Sequence, residues 1–328
     1  LQRSSQVIKM KVLVTGSNGF IGRNLVSQLK NNKDISLTLS SRVSSKSSER
    51  NINRFILTSI DSSTDWTEIL EDIDIVIHLL GIAHNNYSNF KSSIQDEYRK
   101  INVEATLNLA NQAIKANVKR FIYLSSIKVN GEVTVKNRPF TAEDAPNPQD
   151  LYAKLKLEAE VALKEITANS KTELVIIRPV LVYGPGVKGN LLSLIKWIKL
   201  GIPLPLRSIK NKRSFVSIRN LVDFINLCLE HPYAANQVFL VSDNFSISTS
   251  RLIKKLAIFL KKRLFLIPLP QKVLKFILII LGKKEMAHRL LGSLEVNIQK
   301  NQDLLGWKPI QTVDGALEEM ADYFCKND

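Results

Sequence analysis

Apolar residues along this chain follow two alternating patterns. Short continuous apolar runs predict buried strands, and apolar residues at helical spacing between them predict amphipathic helices. The predicted strands are Val12–Val14, Leu37–Ser40, Ile73–Leu80, Arg120–Ser126 and Glu173–Ile177, and predicted helices include Glu104–Ala116 and Leu151–Ile166. This alternation predicts an α/β fold, a doubly wound parallel sheet with helices on both faces.

The pattern changes after Pro179, where prolines and glycines become more frequent and apolar runs become shorter. A helix at Leu221–Leu229 and a strand at Gln237–Val241 are predicted to return to the first sheet. We therefore expect one domain over 10–178, completed by 215–242, and a smaller mixed α/β domain drawn mainly from 179–328. Residues 1–9 are polar and are expected to be a disordered or added extension before a natural start at Met10.

A membrane-like segment runs from Leu264 to Lys284, "LFLIPLPQKVLKFILIILGKK". Two prolines and two lysines interrupt it, and the clean apolar run 276–281 is far shorter than the ~20 residues that span a bilayer. We expect no transmembrane span here. The favoured interpretation is a buried or interface helix, and the alternative is a helix that makes weak contact with a membrane surface.

Composition excludes several classes of function. The 328 residues are 45% hydrophobic, which allows a sizeable core, and 46 basic against 30 acidic residues give a net charge of +16. This charge suits phosphorylated substrates or anionic surfaces, but no basic stripe with interleaved aromatics indicates nucleic-acid binding. Two distant cysteines and four scattered histidines predict no disulfide framework and no metal site, and a reducing, cytoplasmic compartment.

Three glycines, Gly16, Gly19 and Gly22, lie between the first strand and the following helix in "VTGSNGFIG". A glycine turn at this point brings the first helical N–H groups to the surface, and these groups favour a phosphate. The spacing allows a tight turn, close approach of a pyrophosphate and close packing of helix on sheet. The alternative is a turn that serves packing only.

Tyr152 and Lys156 are four residues apart on a predicted helix, in "DLYAKLK", and therefore share a face. A nearby ammonium and a cationic nicotinamide ring would lower the pKa of the phenol, which could then move a proton at a sugar hydroxyl or ketone. Ser126 ends a predicted strand, where a hydroxyl could bind the reacting oxygen. Taken singly, the pair could be a solvated helix face and Ser126 a cap.

The order of these features resembles the extended short-chain dehydrogenase/reductases, in the branch of UDP-glucose 4-epimerase. The stretches "VTGSNGFIG", "VIHLLG", "INVEAT", "FIYLSSIKVNG", "YAKLK", "IIRPVLVYGPG", "RSFVSIRNLVD" and "LGWKP" follow the order of that family and cover residues 11 to about 310. The resemblance implies a Rossmann-type domain that binds NAD(P) and a second domain that binds a nucleotide sugar.

The resemblance also implies cofactor-binding residues. They are Gly16, Gly19, Phe20, Ile21 and Gly22 in the turn, Leu79, Leu80, Gly81 and Asn102 beside it, and Tyr152, Lys156 and Pro179. After the second strand, "LTLSSRV" carries Arg42 where NAD-preferring members carry an acidic residue, so the expectation leans from NAD(H) to NADP(H). Asp61 is the candidate for the adenine side.

For catalysis the resemblance implies Ser126, Tyr152 as acid/base, and Lys156. For the substrate it implies Ser126, Tyr183, Asn190, Arg213 and Arg289, with the arginines gripping the diphosphate through their charged donors. The alternative for Arg213 and Arg289 is a surface salt bridge.

Two enzymatic functions follow from this resemblance. The favoured one is an NAD(P)-dependent 4-ketoreductase that makes UDP-N-acetylquinovosamine-type sugars for surface polysaccharide, because "SSIKVNG", "RPVLVYGPGVKGN" and "NQVFLVSDN" look more like that branch. The alternative is a UDP-glucose or UDP-N-acetylglucosamine 4-epimerase. A non-catalytic NADP-binding sensor is a remote third interpretation. A homodimer is expected, since dimers are common in the family.

Overall fold

The computed structural model describes residues 9–41, 51–57, 59–82 and 92–327. Within these residues there are ten strands: β1 Met10–Thr15, β2 Ile35–Ser41, β3 Ile52–Ile56, β4 Ile75–His78, β5 Arg120–Leu124, β6 Glu173–Pro179, β7 Leu181–Tyr183, β8 Arg213–Ser217, β9 Gln237–Val241 and β10 Ser246–Ile247. The α-helices of the same residues are α1 Phe20–Leu29, α2 Thr67–Leu70, α3 Ser92–Arg99, α4 Ala105–Lys115, α5 Leu151–Thr167, α6 Asn190–Lys199, α7 Ile218–Leu227, α8 Thr249–Phe259, α9 Gln271–Ile280, α10 Lys284–Leu291, α11 Gln299–Leu305 and α12 Val313–Lys326.

Seven strands form one sheet in the order β3-β2-β1-β4-β5-β6-β9. The pairings from β3 to β6 are all parallel. The predicted fold class, a Rossmann-type doubly wound sheet, is confirmed. The strand order reverses between β1 and β4, and ligands of such sheets bind at that point, beyond the carboxyl ends of the strands.

Two features of this sheet differ from the sequence prediction. The edge strand β3 was not predicted, because its half-exposed sequence "INRFI" lacks a continuous apolar run, and an edge strand tolerates polar residues. The strands β4 and β5 also end earlier than predicted, at His78 and Leu124. After β4, the backbone of Leu79 and Leu80 lies against the Gly16 turn instead of extending the strand.

The chain divides into two compact units. The first contains the described residues within 1–129, 148–178 and 225–238, and the second those within 130–147, 179–224 and 239–327. The segments 130–147, 215–224 and 239–242 thus lie in the second unit, whereas the sequence analysis expected them in the first domain. The first unit is held by a core that includes Trp66, Phe121 and Tyr123, all fully buried.

The second unit has a sheet of its own, in the order β10-β8-β7, with β7 parallel and β10 antiparallel to β8. Trp307 packs edge-on against Phe224, with ring centroids 4.9 Å apart, and its indole N–H donates to Asp223 at 2.8 Å. Helices α8 and α12 pack together in the same unit.

Helix α9 comes from the membrane-like segment. None of the described helices is both long and apolar enough to cross a bilayer. The prediction of a buried helix holds for one side of α9 only: Leu274 and Leu278 are buried, but Phe276 and Ile280 are exposed. The prolines Pro268 and Pro270 keep the helix short, because Pro270 immediately precedes its first residue.

Candidate active site

The turn after β1 needs its glycines for steric reasons. Gly16 adopts φ +70°, and a Cβ there would come within 2.9 Å of the Leu80 backbone nitrogen. A Cβ on Gly22 would lie 2.3 Å from the Gly16 carbonyl oxygen. The Gly19 N–H donates to the same oxygen at 3.0 Å. The turn is therefore folded tightly on itself and lies against the chain that leaves β4.

The same turn leaves backbone donors available. Helix α1 starts at Phe20, followed by Ile21, and Gly19 is its N-cap. The helix has neither a side-chain cap nor an acidic residue in its first turn. The first N–H groups of a helix have no partner within the helix, and the helix dipole is positive at this end. The turn thus serves packing and can also accept a diphosphate, so its residues fit a dinucleotide.

Replacing Gly22 by alanine tests this packing. The new Cβ would meet backbone atoms of Gly16 and Ser17, which cannot rotate away, so we expect Gly22→Ala to lower the free energy of unfolding by about 1–3 kcal/mol. We also expect weaker binding of a dinucleotide in calorimetry. Gly315→Ala is the matched control, because Gly315 is also the third residue of its helix, but its Cβ would meet only Thr312 Oγ1, at 3.4 Å. Equal losses in the two variants would contradict the steric role of Gly22.

The chain after β4 is held by Asn102. This residue lies in a π-helical turn, Lys100–Glu104, between α3 and α4, and such turns often occur at functional sites. Its side-chain oxygen accepts from the Ile82 N–H at 3.0 Å, and its amide donates to the Tyr98 carbonyl at 3.0 Å. A Cβ on Gly81 would lie 3.0 Å from that oxygen. Asn102 thereby fixes the chain at Gly81.

Helix α5 presents Tyr152 and Lys156 to the same region. Asp150 caps the helix by accepting from the Ala153 N–H at 2.8 Å. The Lys156 ammonium is buried, donates to the Leu124 carbonyl at 2.9 Å, and would lie 3.2 Å from a Cβ on Gly81. It also lies 5.9 Å from the centroid of the Tyr152 ring. The structure therefore brings together the ends of β4 and β5 and the two residues of α5.

Burial shifts the pKa values of both Tyr152 and Lys156. Burial raises the pKa of Tyr152, and the charge of Asp150 raises it further. Burial also lowers the pKa of Lys156 to about 8, although Glu160 opposes that shift. The sequence predicted a lowered phenol pKa from the ammonium and the nicotinamide ring together. Within the protein alone, burial sets the direction of the Tyr152 shift, whereas the sequence expectation also counts the charge of a bound nicotinamide ring.

The lowered pKa of Lys156 predicts how stability depends on pH. Between about pH 8 and about pH 10.5 the unfolded chain holds this proton and the folded chain does not. The free energy of unfolding should therefore gain a rising component over that interval, and Lys156→Met should remove it. Urea unfolding across the interval measures the difference, with Lys154→Met, an exposed lysine of the same helix, as control. Parallel curves for wild type and Lys156→Met would contradict the shift.

A buried ion pair lies one turn further along α5. Glu160 binds Arg178 through two contacts, at 2.9 Å to Nε and 2.5 Å to Nη2, and accepts a hydrogen bond from the Ser125 hydroxyl. All three side chains are buried. The sequence analysis missed this cluster. Its signal was the four-residue spacing of Tyr152, Lys156 and Glu160, which places all three on one face.

His78 forms a second polar link. Its two ring nitrogens lie 2.8 Å from the Thr15 hydroxyl and 3.0 Å from the Thr106 hydroxyl. Burial lowers its pKa to about 3, and Lys156 contributes to that shift. The imidazole is therefore neutral, and it ties the ends of β1 and β4 to α4.

Ser126 lies two residues after β5, and its hydroxyl accepts from the Lys128 N–H at 3.3 Å. Lys128 in turn forms an ion pair with Asp150, the cap of α5. The turn that carries Ser126 is thus tied to the first turn of the helix that carries Tyr152.

The expected substrate residues lie in the second unit. Tyr183 is buried and donates to Asp243 at 2.8 Å, whereas Asn190 is exposed at the start of α6. Arg213 donates to the Gly292 carbonyl at 3.1 Å, and burial lowers its pKa to about 10. Glu132 opposes this shift and Arg289 adds to it, so the two arginines are close enough to interact. Their roles toward a substrate stay predictions.

For three further residues expected to bind the cofactor, the structure shows little that bears on that role. Arg42 lies outside the described residues. Pro179 is the last residue of β6. The Asp61 carboxylate accepts from the N–H and the hydroxyl of Ser63, at 2.8 and 2.6 Å, and these bonds lower its pKa. Over the described ranges, no group of three or more His, Cys, Asp or Glu side chains could hold a metal.

The reversal of strand order, the glycine turn and the Tyr152/Lys156 pair define a dinucleotide-binding enzyme of the extended short-chain dehydrogenase/reductase type. The chain belongs to the NAD dependent epimerase/dehydratase family, which matches residues 12–242. The resemblance seen in the sequence is confirmed. NAD is the cofactor of this family. The sequence argument for NADP(H) depended on Arg42, which lies outside the described residues.

Proteins named as epimerases are similar to this chain over nearly its whole length. It is 44% identical over 320 residues to a UDP-glucose 4-epimerase of Vibrio cholerae, an alignment that covers 95% of each protein. Its fold is similar to the UDP-glucuronic acid 4-epimerase of Bacillus cereus in complex with NAD, with 22% identity, a TM-score of 0.78, and coverage of 97% and 99%. It is also similar to the UDP-N-acetylglucosamine 4-epimerase of Methanobrevibacter ruminantium in complex with UDP-N-acetylmuramic acid, with 23% identity, a TM-score of 0.78, and coverage of 98% and 99%.

Proposed function

We propose that this protein is an NAD-dependent UDP-sugar 4-epimerase. The observation that carries the proposal is its 44% identity, over 95% of both chains, to the UDP-glucose 4-epimerase of Vibrio cholerae. The residues that such a reaction needs, Ser126, Tyr152 and Lys156, are all present. The comparisons give no specific support to the 4-ketoreductase that the sequence analysis favoured, so the epimerase takes its place.

In this proposal Tyr152 moves the proton. Its phenolate takes the proton of the sugar C4 hydroxyl, while the Ser126 hydroxyl donates a hydrogen bond to the reacting oxygen. When bound, NAD would supply the ring that takes a hydride from C4 and gives it back to the opposite face of the same carbon. The 4-keto sugar then presents its other face, and Tyr152 returns the proton to the new hydroxyl.

The nearby residues hold the reactants in position. The Gly16 turn and the first turn of α1 bind the diphosphate of the cofactor, and Lys156 binds its ribose. The Lys156 charge also favours the phenolate of Tyr152 over the phenol. Arg213 and Arg289 bind the diphosphate of the nucleotide sugar, which suits two neighbouring guanidinium groups, of which that of Arg213 is desolvated by burial.

Product analysis tests the proposal. The protein is incubated with UDP-glucose, with UDP-N-acetylglucosamine and with UDP-4-keto-6-deoxy-N-acetylhexosamine, each with and without added NADPH. We expect the C4 epimer of one of the first two sugars without added reductant. Stoichiometric oxidation of NADPH with the keto sugar, and no epimer, would favour the reductase. Binding of NAD with no turnover of any sugar would favour a sensor.

A further inference from the structure

Helix α9 has two apolar sides. Leu274 and Leu278 are buried on one side. The opposite side carries Val273, Phe276, Ile277 and Ile280, which follow the i, i+3, i+4, i+7 spacing of a single stripe. All four are exposed, Phe276 by 65% and Ile280 by 67%. Among the described residues nothing covers this stripe, and burying it would require an apolar partner.

A second group of exposed apolar side chains lies immediately before α9 in the chain. Phe265 and Ile267 are exposed on the extended segment that precedes the helix. This segment pairs with a neighbouring loop: the Leu204 N–H donates to the Phe265 carbonyl, and the Ile267 N–H donates to the Leu204 carbonyl, both at 2.9 Å. That loop begins with Leu200 and Ile202, which are also exposed. Exposed apolar surface is therefore concentrated in one part of the second unit.

The charged residues of the segment 244–284, which contains α9, are all basic. Residues 244–284 contain ten lysines and arginines and no aspartate or glutamate. This segment thus supplies +10 of the net charge of +16. Lys272 and Lys275 lie on α9 itself, and the exposed Lys261, Lys262 and Arg263 lie just before it. The lysines of α9 lie along one side of the stripe, since their positions fall between the buried side and the exposed apolar side.

We propose that residues 261–283, the basic apolar face, bind the surface of an anionic lipid bilayer. A short helix with an exposed apolar stripe and flanking lysines lies in the interface, with the apolar side chains below the headgroups and the ammonium groups among the phosphates. Charge argues against the other obvious occupant, a second copy of the chain. A second copy of the chain would place two strongly basic surfaces opposite each other, whereas an anionic bilayer complements both the charge and the apolar stripe.

Sedimentation with lipid vesicles tests this assignment, independently of the proposed reaction. The protein is mixed with vesicles of phosphatidylcholine alone or with added phosphatidylglycerol. We expect binding to the anionic vesicles that weakens as salt is added. The double variant Phe276→Ser, Ile280→Ser should bind at least about tenfold more weakly, because it loses two apolar side chains that would be buried in the bilayer. The double variant Lys272→Glu, Lys275→Glu should lose at least as much, from the loss of two charges near the surface.

Ile310→Ser is the matched control, because Ile310 is 66% exposed and lies outside the basic apolar face. It should bind like wild type, and circular dichroism should show every variant folded. Three results would overturn the proposal. They are the absence of binding to the anionic vesicles, binding that neither double variant weakens, and self-association in sedimentation velocity that the serine variants abolish.

Discussion

Tyr152→Phe should reduce kcat by about 10²–10⁴-fold, because it removes the one group proposed to move the proton at C4. NAD binding should be nearly unchanged. The variant keeps the aromatic ring beside the Lys156 ammonium and removes only the hydroxyl. Steady-state kinetics with the preferred UDP-sugar and calorimetry with NAD measure the two effects.

Tyr123→Phe is the control for this experiment. The Tyr123 ring also lies beside the Lys156 ammonium, with its centroid at 4.5 Å, and its hydroxyl is buried with no hydrogen-bond partner among the described residues. If loss of any hydroxyl near Lys156 mattered, both variants would lose activity equally. We expect a far smaller loss for Tyr123→Phe. Retained turnover in Tyr152→Phe would show that another group moves the proton.

Glu160→Ala should lower the free energy of unfolding by about 3–5 kcal/mol, because it leaves the Arg178 guanidinium buried without its carboxylate. The pair is 1% and 3% exposed, and Glu160 also accepts from Ser125. These contacts join α5 to the ends of β5 and β6, so the loss should be global. Urea unfolding followed by circular dichroism measures it.

Glu158→Ala provides a matched control on the same helix. Glu158 forms an ion pair with Arg99 at 2.6 Å, but both side chains are about half exposed. Exposed pairs of this kind contribute roughly 0.2–1 kcal/mol. A loss in Glu160→Ala no larger than that in Glu158→Ala would contradict the structural importance of the buried pair.

The sequence predicts the central strands of this fold well, because they are buried on both faces and therefore carry continuous apolar runs. The central strands β5 and β6 begin at their predicted residues, Arg120 and Glu173. The edge strand β3 has no such signal, since half of its surface meets solvent. Helix α9 misleads for the opposite reason, because its apolar content suggests a core position that only Leu274 and Leu278 occupy.

The residues of the candidate site also fall into two groups, those that the sequence predicts and those that it does not. Spacing along one helix is readable from sequence, so Tyr152 and Lys156 could be placed on a common face. The partners of Lys156 come from distant parts of the chain, the Leu124 carbonyl at the end of β5 and the loop at Gly81. Those contacts depend on the order of strands in the sheet, which no local pattern contains. The pKa of Tyr152 in the protein alone depends on its burial, which no local sequence pattern contains either.

The central claim is that hydride leaves C4 and returns to the same carbon within one active site. The most direct test supplies the preferred UDP-sugar with deuterium at C4, without added nucleotide reductant, and analyses the product by NMR. The account predicts the C4 epimer with its deuterium retained at C4. An epimer that has lost its deuterium to solvent, or no epimer until NADPH is added and consumed, would contradict it.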